Sequence, residues 1–161
     1  MAFQAQVTEE ATWPGLASLT QSTFSALGAE GFRNPFGLAP SPAICLLLID
    51  GMGQQLLQAH ARHAPFLASL MRPEGVFRVG FPATTASSLA ALASGLSSGA
   101  HGIVGCTFAL DTGTEFSPLS WTCAPFADGQ ALAPVPTPEQ FVVPQTAWQQ
   151  AVEQGVRVST V

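Results

Sequence analysis

The sequence predicts an α/β fold with a mainly parallel central sheet flanked by helices. Three observations lead there. Seven consecutive apolar residues, Ala43 to Ile49, read as a strand buried on both faces, as strands of a parallel sheet are. Residues Phe81 to Gly105 read as an extended approach to a run of Ala, Ser and Leu that suits a helix. Strand-like and helix-like segments then alternate through much of the chain. With 161 residues, the chain can bury a sizeable core.

The elements follow in order. Residues 1–42 read as an N-terminal leader with one helix near Leu16–Leu27, and residues 43–161 as the domain proper. The Pro-rich Ala39–Pro42 introduces the first core strand, Ala43–Ile49. Gln54–Leu70 reads as one or two helices broken near Pro65. Val76–Phe81 is the second predicted strand. The next helix starts after Thr84 or Thr85, and Leu89, Leu92 and Leu96 give it an apolar face. Gly105–Leu110 and Glu115–Trp121 flank Asp-Thr-Gly-Thr, a turn signal, and predict a hairpin. Pro125–Pro144 is Pro-rich and reads as an irregular surface excursion. Thr146–Gln154 reads as a helix closed by Gly155, and Val156–Val161 as a further strand. There is no internal repeat.

Two positions stand out chemically. Asp50 follows the first apolar run directly, at the carboxyl end of the predicted strand, where ligands bind in open α/β sheets. A carboxylate there is a natural ligand for a hard or borderline cation. About 35 residues on, Thr84 or Thr85 stands at a helix N-terminus. Its hydroxyl can cap the orphan backbone N–H groups. The same N–H groups and the positive end of the helix dipole suit an anion, and a hydroxyl there can also attack phosphorus.

Together these segments resemble the alkaline phosphatase superfamily, and within it the type I phosphodiesterase/nucleotide pyrophosphatase family. The resemblance rests on Ile49-Asp50-Gly51, Phe81-Pro82-Ala83-Thr84-Thr85, Ser94-Gly95-Leu96 and His101-Gly102-Ile103. Counted back without gaps from His101-Gly102-Ile103, the family's nucleophilic threonine falls on Thr85, and Asp50 matches its first metal-binding aspartate. Ser88 stands where members often carry an Asn that holds a phosphoryl oxygen. The resemblance implies an alkaline-phosphatase-like fold and hydrolysis of phosphodiester or nucleotide pyrophosphate bonds in small phosphorylated substrates. It implies a nucleophile at Thr85, metal ligation by Asp50 and Thr85, and phosphate binding by Ala86, Ser87 and Ser88. The Ala86 and Ser87 N–H groups would point at the phosphoryl oxygens.

The family resemblance also implies two divalent metal ions, usually zinc, held by about six Asp and His side chains. The chain has three aspartates, Asp50, Asp111 and Asp128, and three histidines, His60, His63 and His101. None forms the later Asp-His pair of the family, and His101 fits its structural His-Gly-Ile turn. The chain also stops within a segment that reads as a strand just beginning. The expectation is therefore an N-terminal portion of the catalytic domain, incomplete at its C-terminus, inactive alone, and partnered by the C-terminal half of the same protein. The low charge, 9% against about 25% in ordinary domains, fits an apolar surface awaiting that half.

Other readings compete. A phosphomonoesterase or phosphonate hydrolase of the same superfamily, or a non-catalytic binding fragment, keeps the same motifs. A sulfatase is disfavoured, since position 85 is Thr and Cys/Ser-x-Pro-x-Arg is missing. Gly51-Met52-Gly53 could open a dinucleotide turn, but Leu56 stands where the third glycine belongs. His60 and His63 share a helical spacing without a carboxylate partner, so they read as an exposed helix end. A net charge of −5 with scattered arginines argues against a nucleic-acid groove. The apolar run is too short to span a membrane, which takes about 20 residues, and the N-terminus lacks signal-peptide features. Three cysteines without Cys-x-x-Cys spacing, Cys45 among them in the predicted buried strand, fit a reduced cytoplasm.

Overall fold

The computed structural model of the chain describes residues 14–72, 75–111, 113–125, 134–137 and 145–160. Most of the predicted excursion at Pro125–Pro144, including Asp128, lies outside them, as do residues 1–13 and Val161. The helices are α1 (Leu16–Ala26), α2 (Gln54–Ala59), α3 (Pro65–Leu70), α4 (Thr85–Ser94), the single turn α5 (Ser98–His101) and α6 (Ala147–Glu153). A 3-10 turn, Ala61–His63, joins α2 to α3, which opens on Pro65. Proline suits that first turn because its missing N–H would be an orphan anyway.

Helices α1, α4 and α6 pack on one another and form the core. Phe24 of α1 lies with Ala29, Ala147 and Ala151, and Leu27, Phe32, Trp148 and Val156 pack around them. Burying a ring such as Phe24 contributes about 1.5–3 kcal/mol. The buried stripe of α4 differs from the leucine face that periodicity predicts. Ala86, Ser87, Ala91, Leu92 and Ser94 are buried, whereas Leu89 is 42% exposed. Small residues face inward here because α1 and α6 take up the space that larger side chains would need.

The carbonyls at the end of α4 are tied down by neighbours. Leu92 O accepts from Thr20 Oγ1 of α1 at 2.8 Å and from Trp148 Nε1 of α6 at 2.9 Å. The last carbonyls of a helix lack intrahelical donors, so two side chains distant in sequence supply them. Helices α1 and α6 both end on a glycine at positive φ, Gly28 and Gly155. In each, the next two N–H groups reach back to the last turn: Gly28 to Ser25 and Ala29 to Phe24, Gly155 to Val152 and Val156 to Ala151. Helix α6 opens with a capping box between Thr146 and Gln149.

The sheet corrects the prediction. The described strands, β1 (Phe108–Ala109), β2 (Thr114–Ser117) and β3 (Thr122–Pro125), form one antiparallel sheet in the order β1-β2-β3. The predicted hairpin around Asp111–Thr114 is present, with Phe108 opposite Phe116. The strand β3, paired Phe116 to Cys123, was not predicted. Phe116 is fully buried and meets the rings of Phe108 and Trp121 edge-on.

No parallel ladder joins the predicted strands at 43–49, 76–81 and 156–161 among the described residues. Every residue from Ala43 to Asp50 is exposed, Leu47 by 71%, and Cys45 is exposed with them. An apolar run states what favours burial, not whether a cover exists. A parallel strand needs hydrogen-bonding neighbours and helices on both faces. Here α1, α4 and α6 bury one another instead.

Candidate active site

The site is built where the Ala43–Ile49 run ends and α4 begins. Asp50 lies in a turn closed by Met52 N–H donating to Ile49 O at 3.4 Å. Gly51 follows at φ 68, in the left-handed region that favours glycine, although open space surrounds it. The turn leaves the Asp50 carboxylate exposed at its corner.

Two threonines compete for the start of α4, and their backbone decides between them. Thr84 has extended φ and ψ, −111° and 152°, and is the N-cap. Its Oγ1 accepts from the Ser87 N–H at 3.2 Å and meets Ser87 Oγ at 2.9 Å. Thr85 is the first helical residue, so its side chain leans back toward the helix N-terminus. There Thr85 Oγ1 donates to Asp50, 3.3 Å from each carboxylate oxygen. Because Thr84 supplies the cap, Thr85 Oγ1 is left to face Asp50.

The three residues expected to hold phosphate divide. The Ser87 N–H is occupied by Thr84 Oγ1, because an N-cap hydroxyl takes the donor two or three residues on. The Ser88 N–H is bonded to Thr84 O at 3.0 Å. The N–H groups of Thr85 and Ala86 make no hydrogen bond to a described residue, nor does the Ser88 hydroxyl. Thus, among the described residues, Ala86 and Ser88 have donors without a partner and Ser87 does not. A groove of about 1080 Å³ is lined by Arg78, Ser87 and Ser88 among others, but not by Asp50, Thr85 or Ala86.

The remaining candidates lie elsewhere. His60 and His63 are exposed, their ring centroids 6.2 Å apart, and Arg62 Nε donates to His63 Nε2. His101 is buried at the end of α5, where burial holds its pKa below the usual histidine value. Among the described residues, no group of three or more His, Cys, Asp or Glu could hold a metal ion. No described helix is long and apolar enough to cross a membrane. Sequence reasoning left open which threonine caps α4. The Thr84-x-x-Ser87 spacing was the available signal, since a cap reaches the third residue on.

Comparison with curated proteins and with solved structures found no match to this chain. The family model for type I phosphodiesterase / nucleotide pyrophosphatase matches residues 44–161, which include Asp50, the whole of α4 and His101. The chain belongs to the type I phosphodiesterase / nucleotide pyrophosphatase family.

Proposed function

We propose that this chain provides the nucleophile side of a metal-dependent hydrolase that cleaves phosphodiester or nucleotide pyrophosphate bonds, with Thr85 as nucleophile. The observation that carries this reading is the Thr85 Oγ1 contact to both oxygens of Asp50 at 3.3 Å, at a helix N-terminus capped by Thr84. Asp50 orients the hydroxyl. The free N–H groups of Thr85 and Ala86 and the Ser88 hydroxyl receive phosphoryl oxygens. The Thr85 oxygen attacks phosphorus in line. Its proton passes to water, an O–P bond forms, and the bond to the leaving group breaks with its electron pair staying on the leaving oxygen, which takes a proton from solvent. A water oxygen then bonds to phosphorus, the Thr85 Oγ1–P bond breaks, and Thr85 Oγ1 takes back a proton.

The pair itself argues for a cation. A carboxylate beside an anionic substrate is repulsive, and a helix N-terminus offsets only about half a charge. Asp50 and Thr85 Oγ1 fit as two oxygen donors of a metal shell. When bound, divalent ions such as zinc would lower the pKa of the attacking hydroxyl. Two donors do not complete a shell, which usually takes three or four protein ligands. We therefore read these 161 residues, taken alone, as inactive.

The test uses the protein expressed from its complete gene. Thr85→Ala should cut turnover of a chromogenic phosphodiester at least a thousandfold, on the order of the loss of a covalent nucleophile. Thr84→Ala should stay within about tenfold of wild type, since it removes only a cap. Thr85→Ser should keep measurable rate. An inactive Thr84→Ala beside an active Thr85→Ala would reverse the assignment.

A further inference from the structure

The groove of about 1080 Å³ is walled by α1, by the segment that leads into α4, and by α4 itself. Its volume suits a small organic ligand. The charged residues that line it are Arg33 and Arg78, and no described Asp or Glu joins them. That reverses the balance of the whole chain, which has 10 acidic residues against 5 basic ones. A cleft lined by one sign of charge concentrates its field on ligands of the other sign. Much of the remaining wall is apolar, Leu16, Val79 and Leu96 included.

Both arginines are placed by their backbones. The entry to α1 passes close to Arg78, since a Cβ on Gly15 would lie 3.3 Å from Arg78 O. Gln21 of α1 accepts from the Arg33 N–H and donates to Gly95 O, each at 3.3 Å, and so joins Arg33 to the end of α4. The Arg78 side chain is exposed and makes no hydrogen bond or ion pair among the described residues. Its guanidinium keeps its donors for a ligand, in a planar fork that matches two oxygens of a phosphate.

We propose that this groove binds an organic phosphate: Arg78 and Arg33 take the phosphate group, and the apolar wall of Leu16, Val79 and Leu96 takes the organic substituent. Inorganic phosphate satisfies only the first half of the site, and an uncharged aromatic only the second. Neither Asp50 nor Thr85 lines the groove, so this binding requires neither a nucleophile at Thr85 nor a metal ion.

The experiment is titration of the whole ¹⁵N-labelled chain with phenyl phosphate in the presence of a chelator, followed by nuclear magnetic resonance. Amide shifts should fall on Gly80, Ser88 and Leu96, which line the groove, while Gln150 in α6 stays still. Phenyl phosphate should bind roughly tenfold or more tighter than inorganic phosphate or phenol. Arg78→Gln should weaken phenyl phosphate by roughly tenfold or more, as expected for loss of a charge-assisted contact, without lowering Tm. Thr85→Ala should bind as the wild type does. Equal affinity for phenyl phosphate and inorganic phosphate overturns the proposal, and so does equal affinity for phenol. Unchanged binding in Arg78→Gln overturns it as well, as do shifts confined to Gly51 and Thr85. None of these readouts involves turnover, so an active Thr85→Ala enzyme would refute the nucleophile and leave this site standing.

Discussion

Replacing Gly95 with Ala should destabilise the fold more than the same change at Gly28, and the difference measures how closely α6 approaches α4. Both glycines sit at positive φ, 69° and 87°. Each substitution therefore carries left-handed strain of about 1–2 kcal/mol. Each also stiffens the unfolded chain by about 0.4–1 kcal/mol, which acts the other way and cancels in the comparison. Their surroundings differ. A Cβ at Gly28 meets nothing within 4 Å. A Cβ at Gly95 would lie 3.2 Å from Ala147 Cβ and 3.0 Å from Gln21 Nε2. Gln21 can swing away, but then gives up its 3.3 Å hydrogen bond to Gly95 O, worth about 1 kcal/mol. Ala147 is 1% exposed and cannot move without shifting α6, and overpacking of this kind costs about 1–3 kcal/mol. Gly95→Ala should thus exceed Gly28→Ala by about 2–4 kcal/mol, or roughly 4–16 °C in Tm for a chain of this size. Urea titration followed by circular dichroism measures both variants. A difference below about 1 kcal/mol would refute the packing argument and leave backbone strain as the whole effect.

Four further outcomes follow from named contacts. Thr84→Ala should lower stability by about 1 kcal/mol through loss of the α4 cap, and Thr85→Ala by less, as read by urea melts. Trp148→Phe removes the donor to Leu92 O and should cost about 1–2 kcal/mol, with thermal melts as the measure. The folded pKa of His101 lies below its unfolded value, so the unfolded chain binds the extra proton. Stability from this group should be complete above about pH 6.5 and decline as pH falls through that value, and His101→Gln should flatten that part of the curve. Leu47→Lys, at a site 71% exposed, should reduce self-association in sedimentation runs without lowering Tm, since nothing in the described fold covers Leu47.

Local sequence determined the elements that local physics can determine. Thr146 and Gln149 set the start of α6, and Gly155 its end, because capping and positive φ act within one turn. Pro65 divided α2 from α3, and Gly113, at positive φ, turned the hairpin. The Asp50 and Thr85 motifs could be read as well, since each lies at the end of a patterned segment. Tertiary structure decided the rest. Thr20 and Trp148 meet on Leu92 O across 72 and 56 residues of chain, and nothing in either local sequence names that partner. The buried face of α4 went to Ala and Ser instead of Leu89, because neighbouring helices set the room available. The run at 43–49 has the apolar composition of a sheet interior but no ladder, because hydrophobicity is a property of residues whereas burial and pairing depend on what other segments bring alongside. The choice between the two threonines was also tertiary in part: backbone angles made Thr84 the cap, and only the folded turn at Asp50 put a carboxylate 3.3 Å from Thr85.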